Sequence, residues 1–184
     1  MKSVGLIIAK KDSERLKNKN FLDFCGKPMF VWNLEKMLKI FDKVYVSSDY
    51  DFILETAKNL GAIPIKRPSD LCGDAPSILV FKHAFKFMDN PEIIVSVQAN
   101  SPTIEESLIK RAKELMERDL YNELATCRSD LKPYYSVWGI AKEKLLSYEN
   151  PLDRTPKIFL VDDSVDIHTK EDLEEAFKQT IKQN

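Results

Sequence analysis

A stretch of 11 residues near the N-terminus, from Lys10 to Asn20, carries five cationic side chains. It directly follows the apolar run 4–9, which predicts a buried strand. A triphosphate needs cations and hydrogen-bond donors that converge from one loop, and fixed positive charges stabilise a departing pyrophosphate. Composition alone leaves a solvated basic surface loop as the alternative. The place of the loop after the first strand, and its closure by Gly26-Lys27-Pro28, favour an anion site.

Other chemically capable side chains come after later apolar runs. Arg67 follows the short run 63–65, and Gln98 follows the mainly apolar, β-branched run 93–97. Apolar runs alternate with amphipathic stretches along the chain, which predicts one α/β domain over residues 1–184 with a mainly parallel sheet. In such sheets, ligands bind beyond the carboxyl ends of the strands. The loop, Arg67 and Gln98 are therefore expected at the same edge of the sheet.

The elements that must position these side chains can be read from the same pattern. Strands are predicted at 4–9, 44–48, 63–65, 93–97, 124–127 and 136–140, and helices at 28–38, 51–60, 77–88, 103–118 and 169–178. Gly61 reads as the stop signal of the second helix. Thr103 with Glu106, and Thr169 with Asp172, have the spacing of capping boxes that begin the last two long helices.

Charge and cysteine content exclude several functional classes. The formal net charge is −1, from 28 basic and 29 acidic residues, so no global field attracts nucleic acid or an anionic membrane. Three separated cysteines without a CxxC pair support neither a zinc ribbon nor a redox dithiol. The N-terminal apolar run is too short for a secretion signal or a membrane span. A soluble cytoplasmic protein with reduced thiols is expected.

Five motifs in order resemble the acylneuraminate-type cytidylyltransferases, which include the CMP-sialic acid and CMP-Kdo synthetases. The motifs are Lys10-x-x-Ser13-x-Arg15-Leu16-x-x-Lys19-Asn20 with Gly26-Lys27-Pro28-Met29, then Val46-Ser47-Ser48-Asp49, Lys66-Arg67-Pro68 through Ser77, Gln98-Ala99-Asn100-Ser101-Pro102, and Asp166-Ile167-His168-Thr169 through Leu173. The resemblance implies a three-layer α/β/α sandwich of the nucleotide-diphospho-sugar transferase (GT-A-like) type.

The resemblance also assigns expected roles. The residues expected to stabilise charge on the α-phosphate and pyrophosphate are Lys10, Arg15, Lys19 and Asp166. The residues expected to bind the nucleotide are Ser13, Asn20, Arg67, Ser77 and Gln98. For two of them a structural interpretation stays open from sequence. Arg67 could be a surface ion-pair partner, and Ser77 could be a helix N-cap.

The last motif departs from the family pattern of two magnesium-binding aspartates. Asp166 takes the first place, but His168 takes the second, and Asn100 stands where the Kdo branch has a metal-binding aspartate. Magnesium prefers oxygen ligands, whereas imidazole suits manganese, cobalt or zinc. Three interpretations are open: His168 ligates a softer divalent ion, it steps aside while water completes the shell of Mg²⁺, or it marks a catalytically weakened protein.

The function implied by the resemblance is activation of a 2-keto sugar acid, sialic-acid-like or Kdo-like, with CTP. The alternatives are a nucleotidyltransferase or GT-A-like glycosyltransferase of other specificity, and a weakened CTP-binding homologue. The family's dimerisation insertion is expected to be shortened or absent, because only about 25 residues separate the strand 136–140 from Asp166. Arg154 is interpreted as a remnant of its basic residues. A homodimer is one possible assembly, but the shortened insertion argues against it.

Overall fold

The computed structural model describes residues 2–11, 13, 15–118, 121–150, 156 and 158–183. The strands are β1 Ser3–Ala9, β2 Asp23–Phe24, β3 Lys27–Pro28, β4 Val44–Ser48, β5 Ile63–Lys66, β6 Ile93–Gln98, β7 Glu123–Cys127, β8 Pro133–Ala141 and β9 Ile158–Val161. Seven of these strands form the central sheet in the order β5-β4-β1-β6-β8-β7-β9, and β2 and β3 form a separate two-stranded ribbon. Within the seven-stranded sheet, β8 runs against its neighbours β6 and β7, and the other pairings are parallel.

Helices cover both faces of this sheet. They are α1 Met29–Ile40, α2 Asp51–Asn59, α3 Ser77–Phe85, α4 Glu106–Arg118, α5 Lys142–Ser147 and α6 Lys170–Gln183. Apolar side chains of α1, α2 and α4 pack in one core, and those of α3 and α5 pack in a second core across the sheet. The predicted three-layer α/β/α architecture is confirmed. No helix in the described part of the chain is long and apolar enough to cross a membrane.

The first strand shows why the sequence gives this layering. Successive side chains of a strand point to opposite faces. Val4 and Leu6 of β1 accordingly lie in the α3 core, whereas Ile7 and Ala9 lie in the α1 core. Because both faces are covered, the strand is continuously apolar rather than alternating. The same reasoning applies to β4 and β6, which are buried on both faces.

One predicted helix start is wrong. The Thr103 hydroxyl does not cap α4, which begins at Glu106; it accepts a 3.0 Å hydrogen bond from the backbone N–H of Val165. A tertiary partner thus takes the acceptor that the local motif would have used. The second box is confirmed, because Asp172 accepts from the Thr169 N–H and its own N–H donates to the Thr169 hydroxyl. Gly61 ends α2 with φ +98°, as predicted.

Three elements have no counterpart among the predictions. These are the ribbon of β2 and β3, the short helix α5 and the edge strand β9, which pairs in parallel with β7. Helix α3 also ends at Phe85, three residues before the predicted end. Arg154 lies outside the described residues. The shortened insertion therefore stays a prediction.

Candidate active site

A cavity of about 340 Å³ opens at the edge of the sheet where β1 and β6 end and β8 begins. Its polar lining brings together side chains that are far apart in sequence. They are Lys10, Lys19, Asn20, Arg67, Asp74, Ser77, Ser96, Gln98 and Asn100. Six of the residues predicted to bind or stabilise a nucleotide thus line one cavity, together with Asn100, which was predicted as a metal ligand. Ser13, Arg15, Asp166 and His168 are not among its lining residues.

Lys19 is buried at the start of a short 3-10 helix, with 7% of its surface exposed. Its Nζ donates to the carbonyl of Ile167 at 3.2 Å and lies 3.1 Å from Nδ1 of His168. Burial lowers the pKa of Lys19 to about 8, against the opposing effect of the Asp166 carboxylate. The charges of Arg15 and Lys10 add to this lowering, so the three predicted cations lie close together.

Lys10 leaves the end of β1 and reaches across the cavity mouth. Its Nζ lies 2.9 Å from Oδ1 of Asp74 and 3.2 Å from the carbonyl of Gly73. Asn20 holds the backbone of this lysine, because its side-chain amide donates to the carbonyl of Lys10 at 2.8 Å. Two segments that border the cavity, the first loop and the loop before α3, are therefore joined by one ion pair.

Arg67 is buried rather than lying at the surface. Its Nε donates to the hydroxyl of Ser47 at 3.0 Å, and its Nη2 donates to the Ser47 carbonyl at 2.6 Å. Burial lowers the pKa of this guanidinium. No ion pair to Arg67 occurs within the described residues, so the surface ion-pair interpretation does not hold. Arg67 is one of the residues that line the cavity, and Ser47 holds its guanidinium in place.

Ser77 is the first residue of α3, and Pro76 occupies the N-cap position without a side-chain hydrogen bond. The N-cap interpretation of Ser77 is therefore excluded. Its side chain borders the same cavity as Arg67 and Gln98.

The segment after β6 is clamped from helix α1. The fully buried Asn33 amide donates 2.8 Å hydrogen bonds to the carbonyls of Gln98 and Ser101. Lys36, one turn later, donates to the carbonyls of Pro102 at 2.7 Å and Ile104 at 2.6 Å. These bonds satisfy backbone acceptors that would otherwise be buried without partners. They fix the position from which Gln98 and Asn100 reach the cavity.

Asp166 lies between two neighbours that both engage its carboxylate. Asn100 donates from its amide nitrogen to Oδ1, and Nε2 of His168 lies 2.9 Å from Oδ2. A lysine ammonium can only donate, so the contact from Lys19 makes Nδ1 of His168 an acceptor. Nε2 then carries the proton and donates to Asp166. Both ring nitrogens of His168 are engaged in this chain of contacts.

The sequence also matches a known protein family. A family model described as cytidylyltransferase matches residues 4–144, more than half of the 184-residue chain. The chain belongs to the cytidylyltransferase family. The resemblance inferred from the motifs is confirmed.

Two relatives of this cytidylyltransferase share about one third of their residues with it over the aligned region. Pseudaminic acid cytidylyltransferase of Campylobacter jejuni is 34% identical over 122 residues, which are 62% of this chain and 53% of the relative. N-acylneuraminate cytidylyltransferase of Oncorhynchus mykiss is 33% identical over 156 residues, which are 83% of this chain and 35% of the relative. The chain thus spans about half the length of these curated relatives, or less.

A solved structure extends the comparison of the fold to the whole chain. CMP:2-keto-3-deoxy-manno-octonic acid synthetase complexed with CTP has a TM-score of 0.80, with 100% of both chains covered. Its sequence identity to this chain is 14%, so the likeness concerns the fold.

A divalent cation fits this site only with help from the substrate. In the described part of the chain, no three His, Cys, Asp or Glu side chains are grouped to hold a metal ion. Mg²⁺ is usually bound through one or two carboxylates together with substrate phosphates. Asp166 supplies one such carboxylate. His168 and Asn100 both point nitrogen atoms at Asp166 in this arrangement.

The cytidylyltransferase cavity also has an aromatic wall that was not predicted. Phe81, Tyr135 and Trp138 form it, and the rings of Phe81 and Trp138 lie 4.7 Å apart. Tyr135 has a left-handed backbone with φ +59°, next to a register shift between β7 and β8. Strand bulges of this kind re-aim side chains near binding sites. No residue pattern in the sequence signals such a shift.

Proposed function

We propose that this protein transfers CMP from CTP to the anomeric hydroxyl of a 2-keto sugar acid and releases pyrophosphate. The observation that carries the proposal is the convergence of Lys10, Lys19 and Arg67 on one cavity, with Asp166 next to Lys19. Relatives named for pseudaminic acid and N-acylneuraminate, and a CTP-bound structure of the same fold, support it.

The transfer is an in-line displacement at the α-phosphorus of CTP. The hydroxyl oxygen of the acceptor forms a bond to this phosphorus, and the bond to the oxygen that bridges to the β-phosphate breaks. The hydroxyl proton passes to solvent, and the electron pair leaves on pyrophosphate. Lys10, Arg15 and Lys19 would offset the charge that develops on the departing oxygens. Ser13 and Asn20 would support the loop that carries these cations.

Arg67, Ser77 and Gln98 would hold the nucleoside part of CTP. The guanidinium of Arg67 is fixed by Ser47, and the backbone of Gln98 is fixed by Asn33. Preorganised groups of this kind bind without the cost of ordering long side chains.

Mg²⁺, with Mn²⁺ as the alternative, would be held by Asp166 and by phosphate oxygens of CTP. When bound, the ion would neutralise triphosphate charge and orient the α-phosphate. His168 would not ligate it, because both of its ring nitrogens are already engaged. This favours the interpretation in which His168 steps aside and water completes the metal shell. We further propose a reducing, cytoplasmic setting, which the three free cysteines support.

The experiment is coupled detection of pyrophosphate with CTP, UTP, GTP or ATP and several 2-keto sugar acids, in Mg²⁺ or Mn²⁺. We expect release with CTP, and a loss of at least about 100-fold in Lys19→Ala and in Asp166→Ala. Lys17→Ala in the same loop and Asp163→Ala near the same motif are matched controls with exposed side chains. Unchanged turnover in both site variants would overturn the assignment.

A second function, CTP binding without turnover, has one specific observation in its favour. His168 engages the one carboxylate expected to hold the metal, at 2.9 Å. This alternative predicts that CTP raises the melting temperature while no acceptor gives pyrophosphate. A thermal-shift panel that includes UDP-sugars separates it from a glycosyltransferase, which UDP-sugars would stabilise selectively.

A further inference from the structure

The side chain of Gln98 is held by a short chain of hydrogen bonds behind the cavity wall. The fully buried Ser101 donates from its hydroxyl to Oε1 of Gln98 at 3.2 Å. The Ser101 oxygen also lies 2.7 Å from the phenolic oxygen of Tyr134. A serine hydroxyl has one proton, and here Gln98 receives it. Tyr134 is therefore the donor to Ser101.

Tyr134 is itself fixed from the other side. The guanidinium of Arg128 lies over its ring, 3.3 Å from the ring centre. Arg128 is anchored in turn, because its Nη1 donates to the carbonyls of Asp162, at 3.2 Å, and Ser164. Burial raises the pKa of Tyr134 to about 12, so the phenol keeps the proton that it donates.

An isolated glutamine amide can present either its oxygen or its nitrogen after a half-turn of the terminal group. Because the hydroxyl of Ser101 directs its proton at Gln98, the amide oxygen of Gln98 must lie on the Ser101 side. The nitrogen, with two protons, is left on the cavity side, where Gln98 is one of the lining residues.

We propose that Tyr134 and Ser101 are positioning residues that fix the Gln98 amide with its N–H₂ group turned to the bound nucleotide. The atom of CTP that meets Gln98 is accordingly a hydrogen-bond acceptor. This inference rests on the proposed function and deepens it. Tyr134 acts through Ser101 and Gln98 and does not itself touch the nucleotide.

The first arm of the test needs no ligand. In the ¹⁵N-labelled 21.2 kDa protein, the side-chain amide signal of Gln98 is compared between wild type, Tyr134→Phe and Ser101→Ala. Both variants are expected to shift it, whereas Tyr121→Phe, at the opposite edge of the sheet, leaves it in place. An unshifted signal in both variants overturns the hydrogen-bond chain.

The second arm measures the dissociation constant of CTP with Mg²⁺ by calorimetry. Tyr134→Phe is expected to weaken binding about five- to tenfold, as expected for a lost hydrogen bond to a partly buried group. In a Gln98→Ala background the same substitution is expected to cost nothing further. An equal loss in both backgrounds would mean that Tyr134 acts by packing, and it would overturn the proposal.

Gln98→Glu tests directly whether the side chain at position 98 donates a hydrogen bond to the nucleotide. A carboxylate keeps the acceptor atoms of glutamine and lacks its donor. It is expected to weaken CTP binding at least as much as Gln98→Ala does. Wild-type affinity in Gln98→Glu would overturn the proposal. If wild type binds no CTP, the proposed function fails instead, and the ligand-free arm still decides whether the chain of hydrogen bonds exists.

Discussion

The side-chain amide of Asn33 on α1 donates to the backbone carbonyl of Gln98 at the end of β6, at 2.8 Å. The same nitrogen reaches the carbonyl of Ser101 at 2.8 Å, and no part of Asn33 is exposed to solvent. One buried amide therefore ties the first helix to the loop that carries two candidate binding residues. This link makes the shape of the cavity depend on a residue outside it.

Asn33→Leu keeps a similar volume but removes both donors. Buried carbonyls without partners are costly, so we expect a loss of about 2–4 kcal/mol in the free energy of unfolding. Urea denaturation measures it. Asn59→Leu, at the exposed end of α2, is the control and should change stability by less than about 0.5 kcal/mol. Equal stability of wild type and Asn33→Leu would contradict the clamp.

Lys36→Met should destabilise the protein more at high pH than at neutral pH. Burial lowers the pKa of Lys36 from 10.5 to about 8 in the native state. Between these values the unfolded chain binds a proton that the native chain does not, so the Lys36 contribution to stability rises with pH. Below pH 8 both states are protonated, and this contribution no longer changes.

The methionine variant lacks that rise. The stability difference between wild type and Lys36→Met should therefore grow from about pH 8 upward, by no more than about 1 kcal/mol per pH unit. Urea unfolding at about pH 7.5 and about pH 9.5 measures it. Lys39→Met, on the same helix with 66% of its side chain exposed, should show no such trend. A constant difference would argue against a buried, titrating Lys36.

Arg67→Lys should weaken CTP binding at least about tenfold, although the charge is kept. Two nitrogens of the guanidinium donate hydrogen bonds to Ser47. A lysine ammonium cannot reproduce this planar two-point contact. Calorimetry with CTP measures the effect. Arg111→Lys on α4, where the side chain is exposed, is the matched control. Unchanged affinity would remove Arg67 from the proposed nucleotide site.

Asp74→Asn should strengthen CTP binding about two- to fivefold at low salt, an advantage that fades as salt is added. Asp74 is exposed and holds Lys10 at 2.9 Å, so its loss frees a cation for the triphosphate and removes a like charge from the cavity mouth. The melting temperature should stay the same, because exposed pairs add little to stability. Asp70→Asn in the preceding turn is the control. Weaker binding in Asp74→Asn would show that Asp74 itself contributes to the nucleotide site.

The sequence determined the architecture because burial on both faces leaves a strong local signal. β-branched runs such as β6 are typical of central strands, and the helices between parallel strands cross over the sheet. Parallel strands place their carboxyl ends together, so Lys10 and Gln98 were predictable neighbours from topology alone. The weaker strand β9 and the bulge beside Tyr135 leave no comparable signal, since edge strands and register shifts depend on their partners.

Two similar motifs show what only the tertiary structure decided. Thr169 caps its helix as the local spacing predicts, but the hydroxyl of Thr103 serves Val165, 62 residues away. The side chains of the site likewise depend on partners that only the folded structure brings near them. Residue type and strand position predicted which groups reach the cavity. Their orientation was set by partners distant in sequence, such as His168 for Lys19 and Asp74 for Lys10, because short-range hydrogen bonds form only after folding brings those groups together.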